Sequence, residues 1–159
     1  MADINLKQGG SAVGLGTAGT AQPGVVSVVL KGSDAVAAKG SALAANDIIF
    51  VADIPAKSTV GYAMVRVLSA DTGTTLTFDL GDATAADEWV DGVDGTTAGD
   101  SSQGTNGIFD QVKYYATADV LDLKVATASS AADDWIVEVL YVLTDYSGNP
   151  RVRTAKDAS

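Results

Sequence analysis

Hydrophobic and polar residues alternate along much of this 159-residue chain, which is the pattern of half-buried β-strands. Residues 74–80 show it most clearly, with Leu76, Phe78 and Leu80 on one side and polar residues on the other. β-Branched runs bounded by Gly or Pro predict further strands. In total the pattern predicts seven strands, over residues 24–30, 47–52, 60–68, 74–80, 111–116, 118–126 and 134–143.

Seven short strands separated by turn signals predict an all-β protein, either a sandwich or a barrel. The strand over residues 134–143 has large side chains on both faces, so we expect it to be central in its sheet. Trp89 is expected to close one end of the core. Strand parity predicts that the following residues are buried together: Leu76, Phe78, Leu80, Leu121, Leu123, Val125, Trp135, Val137 and Val139.

Helical signals are weak. The chain holds 18 Asp but only 2 Glu, and Asp favours turns and caps whereas Glu favours helix interiors. The best candidate is one short helical turn over residues 84–90, with Thr84 as its cap. Residues 34–45 fit a poor helix or a loop equally well.

The two ends of the chain differ from its middle. Residues 1–23 are rich in Gly, Ala, Ser and Thr, and like residues 150–159 they hold too little apolar area to offset the entropy of ordering alone. We therefore expect an extended N-terminal arm, a β-sandwich over residues 24–149 and a C-terminal tail. The expected partner-binding residues in the arm and tail are Ile4, Leu6, Lys7, Arg151, Arg153 and Lys156.

Composition narrows the possible functions. The sequence has no Cys and no His, which removes disulfides, Cys/His zinc sites and the Ser-His-Asp triad. A formal charge of −10 disfavours nucleic acid and anionic membranes as partners. The N-terminus lacks the apolar stretch of a signal peptide, so we expect synthesis in a cytoplasm. We expect no cofactor, no metal requirement and no enzymatic activity.

Three motifs suggest specific chemistry, and each has a simpler explanation. Residues 14–19 match the dinucleotide fingerprint G-x-G-x-x-G, but no helix can follow before Pro23, so the match is attributed to chance. Residues 67–112 hold nine acids and no Lys or Arg, which indicates Asp-capped turns, with calcium loops as the alternative. Asp87 and Asp91 would share a helical face and suit glycoside hydrolysis, but aromatic lining for a sugar cleft is scarce.

An ordered series of segments resembles small structural proteins of tailed bacteriophages that are encoded near the major capsid protein. The segments are IPAKSTV at 54–60, TTLTFDLGD at 74–82, ADEWVDG at 86–92 and KYYATADVLDL at 113–123. The resemblance covers residues 47–143. It departs at Glu88, where the family often has Arg, and at Trp89, which replaces Phe.

The resemblance implies a non-catalytic virion protein with a β-sandwich of jelly-roll type and about seven to eight strands. Its implied role is that of a capsid decoration or cement protein, which binds the major capsid protein on the capsid surface and stabilises the shell. The expected state is a homo-oligomer, with a trimer favoured. The alternative function is a tail or head-fibre module that recognises host carbohydrate through Trp89 and the Asp-rich loops, with or without calcium.

Overall fold

The computed structural model describes residues 3–5, 11–13, 23–103, 112–128 and 133–145. In chain order, these residues form β1 (Asp3–Asn5), β2 (Ser11–Val13), β3 (Pro23–Lys31), α1 (Gly32–Lys39), β4 (Ile48–Ile54), β5 (Ser58–Ser69), β6 (Leu76–Asp82), β7 (Val90–Asp94), β8 (Ser101–Gln103), β9 (Val112–Tyr115), β10 (Asp119–Ala128) and β11 (Ile136–Asp145).

The strands form two sheets. Sheet A has the order β1-β4-β10-β6-β7, and sheet B has the order β2-β3-β11-β5-β8, with β9 also paired to β5. Within the described strands every pairing is antiparallel except that of β1 with β4. The predicted all-β sandwich is confirmed. β11 lies at the centre of sheet B between β3 and β5, as its apolar side chains on both faces predicted.

The core lies between the two sheets. All nine residues predicted to be buried together are 0–1% exposed, which confirms the predicted strand parity. Phe78 of sheet A meets Trp135, which precedes β11 of sheet B, edge to face, with 4.9 Å between the ring centroids. Trp89 is also buried, as expected for a residue that closes the core.

Four of the eleven strands were not predicted: β1, β2, β7 and β8. Each has only three to five residues, too few to show a period of two. Their extended geometry is set by backbone pairing with longer neighbours. All four end the order of their sheets, where short strands are common.

The predicted helical turn over residues 84–90 is wrong, because the segment is a tight non-helical connection between β6 and β7. The Asp82 amide donates to the Ala85 carbonyl, and the Trp89 amide donates to the Leu80 carbonyl. These bonds draw Trp89 inward and leave no room for a helical turn.

The undecided segment over residues 34–45 divides into a helix and a loop. Helix α1 ends at Gly40, whose left-handed φ of 76° allows its amide to bond the Val36 carbonyl. Within the described residues no helix is long and apolar enough to cross a membrane.

Residues of the predicted arm pair with strands of the same chain. β1 lies beside β4 in sheet A, and β2 lies beside β3 in sheet B. The side chain of Ile4 is 2% exposed and belongs to the common core. The N-terminal segment therefore contributes to both sheets.

Candidate interaction surface

Six large hydrophobic side chains are exposed on the described part of the molecule, and all belong to strands of sheet B. They define a surface that we call the apolar face: Val25 and Val29 on β3, Tyr62 and Leu68 on β5, and Val112 and Tyr114 on β9. Val112 is 66% exposed and Tyr114 is 58% exposed. Contiguous exposed apolar residues of this kind mark interaction sites more often than isolated ones do.

Strand parity explains why these side chains point outward. On β3, Val26, Val28 and Leu30 are buried in the core, so Val25 and Val29 must lie on the opposite face. β11 supplies partly buried residues to the same outer face between β3 and β5, including Leu140. Both faces of sheet B therefore carry apolar side chains. Sheet A covers the inner face, and no described strand or helix is packed over the outer one.

A neutralised charge pair lies within the apolar face. Arg66 donates to one carboxylate oxygen of Glu138, and the hydroxyl of Ser27 donates to the other at 2.7 Å. The three residues lie on the neighbouring strands β5, β11 and β3. Glu138 is thus paired and hydrogen-bonded before any partner approaches, which reduces the cost of removing it from water.

Tyr62 projects from an irregular position in β5. Pairing with β11 shifts register between Leu140 and Val142, and Tyr62 has a φ of 52°. A bulky residue in the left-handed region costs about 1–3 kcal/mol, and such strain is concentrated at functional positions. The bulge therefore exposes an aromatic side chain at a conformational cost.

A second polar cluster connects the two sheets at one end of the core. Asp82 of β6 accepts hydrogen bonds from Lys113 at 2.6 Å and from the Tyr115 hydroxyl at 2.7 Å, both on β9. Its other oxygen accepts from the Thr84 amide and hydroxyl and from the Ala85 amide. With five donors on one buried carboxylate, this cluster holds sheet A to sheet B.

The electrostatics of the cluster follow from these bonds. Burial alone would raise the pKa of Asp82, but the hydrogen bonds from Lys113, Thr84 and Tyr115 hold it well below its usual range. Burial alone would lower the pKa of Lys113, but Asp82 raises it. Burial, followed by Asp82, raises the pKa of Tyr115. All three groups therefore keep one protonation state near neutral pH.

Asp122 of β10 has the opposite environment. It is 5% exposed, and its Oδ1 atom has no hydrogen-bond partner among the described residues. Burial, together with the charges of Asp119, Asp3 and Asp82, raises its pKa to about 7. Asp122 is thus a buried acid that titrates near neutral pH.

Several acids of the stretch over residues 67–112 cap turns, as its composition indicated. Asp94 accepts from the Thr96 amide and from the hydroxyls of Thr96 and Thr97, and Asp100 accepts from the Asp94 amide. Across the described part of the chain, no three Asp or Glu residues are grouped so that they could hold a metal ion. These carboxylates act as caps for loops.

The structure also bears on the sugar-binding and hydrolytic alternatives. Trp89 is buried, so its proposed role as a stacking platform for carbohydrate is wrong. Asp87 lies in the connection between β6 and β7, and Asp91 lies on β7. They do not share a helical face, because no helix forms there.

The predicted partner-binding residues lie mostly outside the described residues. Leu6, Lys7, Arg151, Arg153 and Lys156 all fall there. Ile4 is described and is packed within its own chain, so contact with a neighbour would require β1 to leave β4. The prediction for the six residues stays a prediction. Sequence reasoning missed the apolar face, although the alternation within residues 60–68 puts Tyr62, Met64, Arg66 and Leu68 on one side of their strand.

No protein-family model and no curated protein sequence matches the chain. Solved structures with the same fold include a chain from the capsid of Ralstonia phage GP4, with a TM-score of 0.58, 23% identity, and coverage of 92% of this chain and 100% of that one. A chain of the cyanophage Pam1 capsid asymmetric unit matches with a TM-score of 0.54 and 18% identity, over 85% of this chain and 91% of its own.

A third structure is the acidic stable capsid of Helicobacter pylori bacteriophage KHP30. One of its chains matches with a TM-score of 0.50 and 11% identity, over 86% of this chain and 100% of its own. At these identities the likeness establishes a shared fold that spans nearly the whole of each chain.

Proposed function

We propose that this chain is a non-catalytic structural protein of a phage virion, which binds the capsid as a decoration or cement protein and stabilises the shell. The observation that carries the proposal is the shared fold over 92% of this chain and all of a chain from the GP4 phage capsid. The resemblance of residues 47–143 to small phage virion proteins supports the same role independently.

The chemistry of the described residues supports a structural role. The buried carboxylate Asp82 is fully engaged by Lys113, Tyr115 and backbone donors, so it has no lone pair directed at a substrate. The loop carboxylates Asp94 and Asp100 are engaged in capping. The sequence contains no Cys or His that would act as nucleophile or base. These acids serve to hold the fold together.

The proposed partners are the major capsid protein and further copies of this chain, with a trimer favoured. We propose that the chain is made in the bacterial host cytoplasm and comes to lie on the capsid surface. The proposed contact residues of the two ends are Leu6, Lys7, Arg151, Arg153 and Lys156, together with Ile4 if β1 is exchanged between subunits. A high net negative charge keeps an abundant protein soluble until it assembles.

The proposal is tested on particles of the phage that carries the gene, prepared with the gene intact and with it deleted. We expect mass spectrometry to find the chain in intact particles. We also expect cryo-electron microscopy to show density for the sandwich on the outer surface of the shell, absent after deletion. Deleted particles should release their DNA at a lower temperature. Intact particles that contain none of this chain would overturn the proposal.

A further inference from the structure

We propose that the apolar face of sheet B binds a second copy of this chain. It specifies how copies contact each other in the proposed homo-oligomer, and it rests on the proposed function only for the virion in which that oligomer would occur. It names the surface through which two copies contact each other. The residues of this surface are a different set from the contact residues predicted at the two chain ends. Three observations carry it: the placement of exposed apolar residues, the distribution of charge, and the area of the face.

The apolar residues are concentrated on one face of the sandwich. All six exposed large hydrophobic side chains of the described residues lie on β3, β5 and β9. The outer side of sheet A differs, because it carries Asp79 in an ion pair with Lys124 and a hydrogen bond between Thr77 and Thr127. The outer side of sheet A therefore presents paired polar side chains, whereas the outer side of sheet B presents exposed apolar ones.

Charge favours a second copy as the occupant of this face. Two copies each carry a formal charge of −10 and repel each other unless they meet where carboxylates are few. The apolar face has one carboxylate among the side chains that the structure describes, that of Glu138, and it is already paired with Arg66. Lys31, which is exposed at the end of β3 on the same parity as Val25 and Val29, adds a positive charge at the edge of this face.

The area of the face suits a specific interface between two copies. The strands β3, β11, β5 and β9 hold 9, 10, 12 and 4 residues. Each residue covers about 16 Å² of a sheet face, from roughly 3.3 Å along the strand and about 4.8 Å between strands. The face therefore measures about 550 Å² per copy, or about 1,100 Å² for two copies, which exceeds the roughly 1,000 Å² expected of a biological interface.

Tyr62 offers a variant that separates association from folding. Its φ of 52° is one that Gly adopts without strain, so Tyr62→Gly removes an exposed aromatic ring while it relieves the backbone. A matched control is Asn46→Gly, which relieves a φ of 70° at an exposed site away from the apolar face. A second test variant is Val112→Thr combined with Tyr114→Thr, which keeps strand-forming side chains but adds polarity.

The experiment is sedimentation velocity of the purified full chain over a range of concentrations. We expect the wild type and Asn46→Gly to form the same oligomer, above the 16.1 kDa of one chain. Both test variants should raise the dissociation constant at least tenfold, while circular dichroism and melting show that they remain folded.

Two results would overturn this inference. One is a wild-type chain that stays monomeric at the highest concentrations. The other is an oligomer whose dissociation constant is unchanged in both test variants. Variants that are monomeric and still coat particles would support the face as the contact between copies. Variants that form the wild-type oligomer and no longer coat particles would assign the face to the shell instead. The sedimentation measurement uses the purified chain alone, whereas the coating of particles by the same variants is a separate assay. Failure of this inference in sedimentation is therefore distinguishable from failure of the proposed function, which only the particle assay reports.

Discussion

Two buried carboxylates on neighbouring strands of sheet A have opposite electrostatic states. Asp82 lies at the end of β6, and Asp122 lies one residue past its cross-strand partner Leu121 on β10. Both are at most 5% exposed, so both lose most of their hydration. The pKa of Asp82 is held well below its usual range, whereas that of Asp122 is raised to about 7.

The difference between the two sites comes from their partners. Asp82 accepts hydrogen bonds from Lys113 and Tyr115 and from amide and hydroxyl groups of the turn at residues 84–85. Together these bonds outweigh the cost of its desolvation. Asp122 has Asp119, Asp3 and Asp82 as its charged neighbours, and its Oδ1 atom lacks a donor. Burial raises the energy of any carboxylate, and the donors around it decide whether the charge persists.

The largest expected effect is the loss of the Asp82 cluster. Asp82→Ala should reduce the free energy of unfolding by about 3–5 kcal/mol at pH 7, because Lys113 and the Tyr115 hydroxyl lose their common acceptor. Urea unfolding measures the change. The control is Asp87→Ala at an exposed position in the following connection, with an expected change within about 0.5 kcal/mol. A cost of Asp82→Ala below about 1 kcal/mol would show that the cluster does not hold the sheets together.

The next largest effect is the pH dependence that Asp122 gives to the free energy of unfolding. Its folded pKa of about 7 lies above the ordinary value of 3.8, so the folded state binds the proton more tightly than the unfolded state. Stability from this group therefore falls as pH rises from about 4 to about 7 and is constant above that. The shift corresponds to a gross change of about 4 kcal/mol.

Asp122→Asn should remove this pH dependence and raise the free energy of unfolding at pH 8. We expect a net gain of about 1–2 kcal/mol, because the amide that replaces the carboxylate still lacks full hydrogen bonding. The measurement is urea unfolding from pH 4.5 to 8, with Asp91→Asn on β7 as an exposed control. Parallel profiles for wild type and Asp122→Asn would contradict the assignment of the titrating group.

A smaller effect is expected on the pKa of Asp122 when the charge of one of its acidic neighbours is removed. Asp119→Asn and Asp3→Asn each remove a negative charge that raises the pKa of Asp122, so each should lower its titration midpoint by a fraction of a pH unit. Carbon-detected NMR of the Asp122 carboxyl group measures the midpoint directly. A midpoint that is unchanged in both variants would attribute the shift to burial and the charge of Asp82 alone.

The smallest effect is expected at the apolar face. Arg66 is half exposed where it pairs with Glu138, so Arg66→Ala should cost about 0.5 kcal/mol and less at high salt. Thermal melting of the chain under dilute conditions measures the change. If Arg66→Ala lowered the free energy of unfolding as much as Asp82→Ala does, exposure would not explain the difference between the Arg66–Glu138 pair and the Asp82 cluster.

The comparison also separates the parts of the molecule that local pattern encodes from those that it does not. Alternation in residues 74–80 predicted that Leu76, Phe78 and Leu80 share the core, because the period of a strand assigns each side chain to a face. Alternation in β5 is equally clear, and it puts Tyr62 and Leu68 on the side that became the apolar face. Nothing local indicated that these side chains would be exposed rather than covered by another described element.

The sequence by itself determined the all-β class, the parity of the long strands, the central place of β11 and the burial of Trp89. Tertiary structure decided the remainder. The three-residue strand β1 exists because β4 offers it unpaired backbone groups. Residues 84–90 are not helical because Asp82 and Leu80 bind their backbone. The opposite states of Asp82 and Asp122 depend on donors and charges brought from distant parts of the chain, and no local pattern encodes which strands will be neighbours.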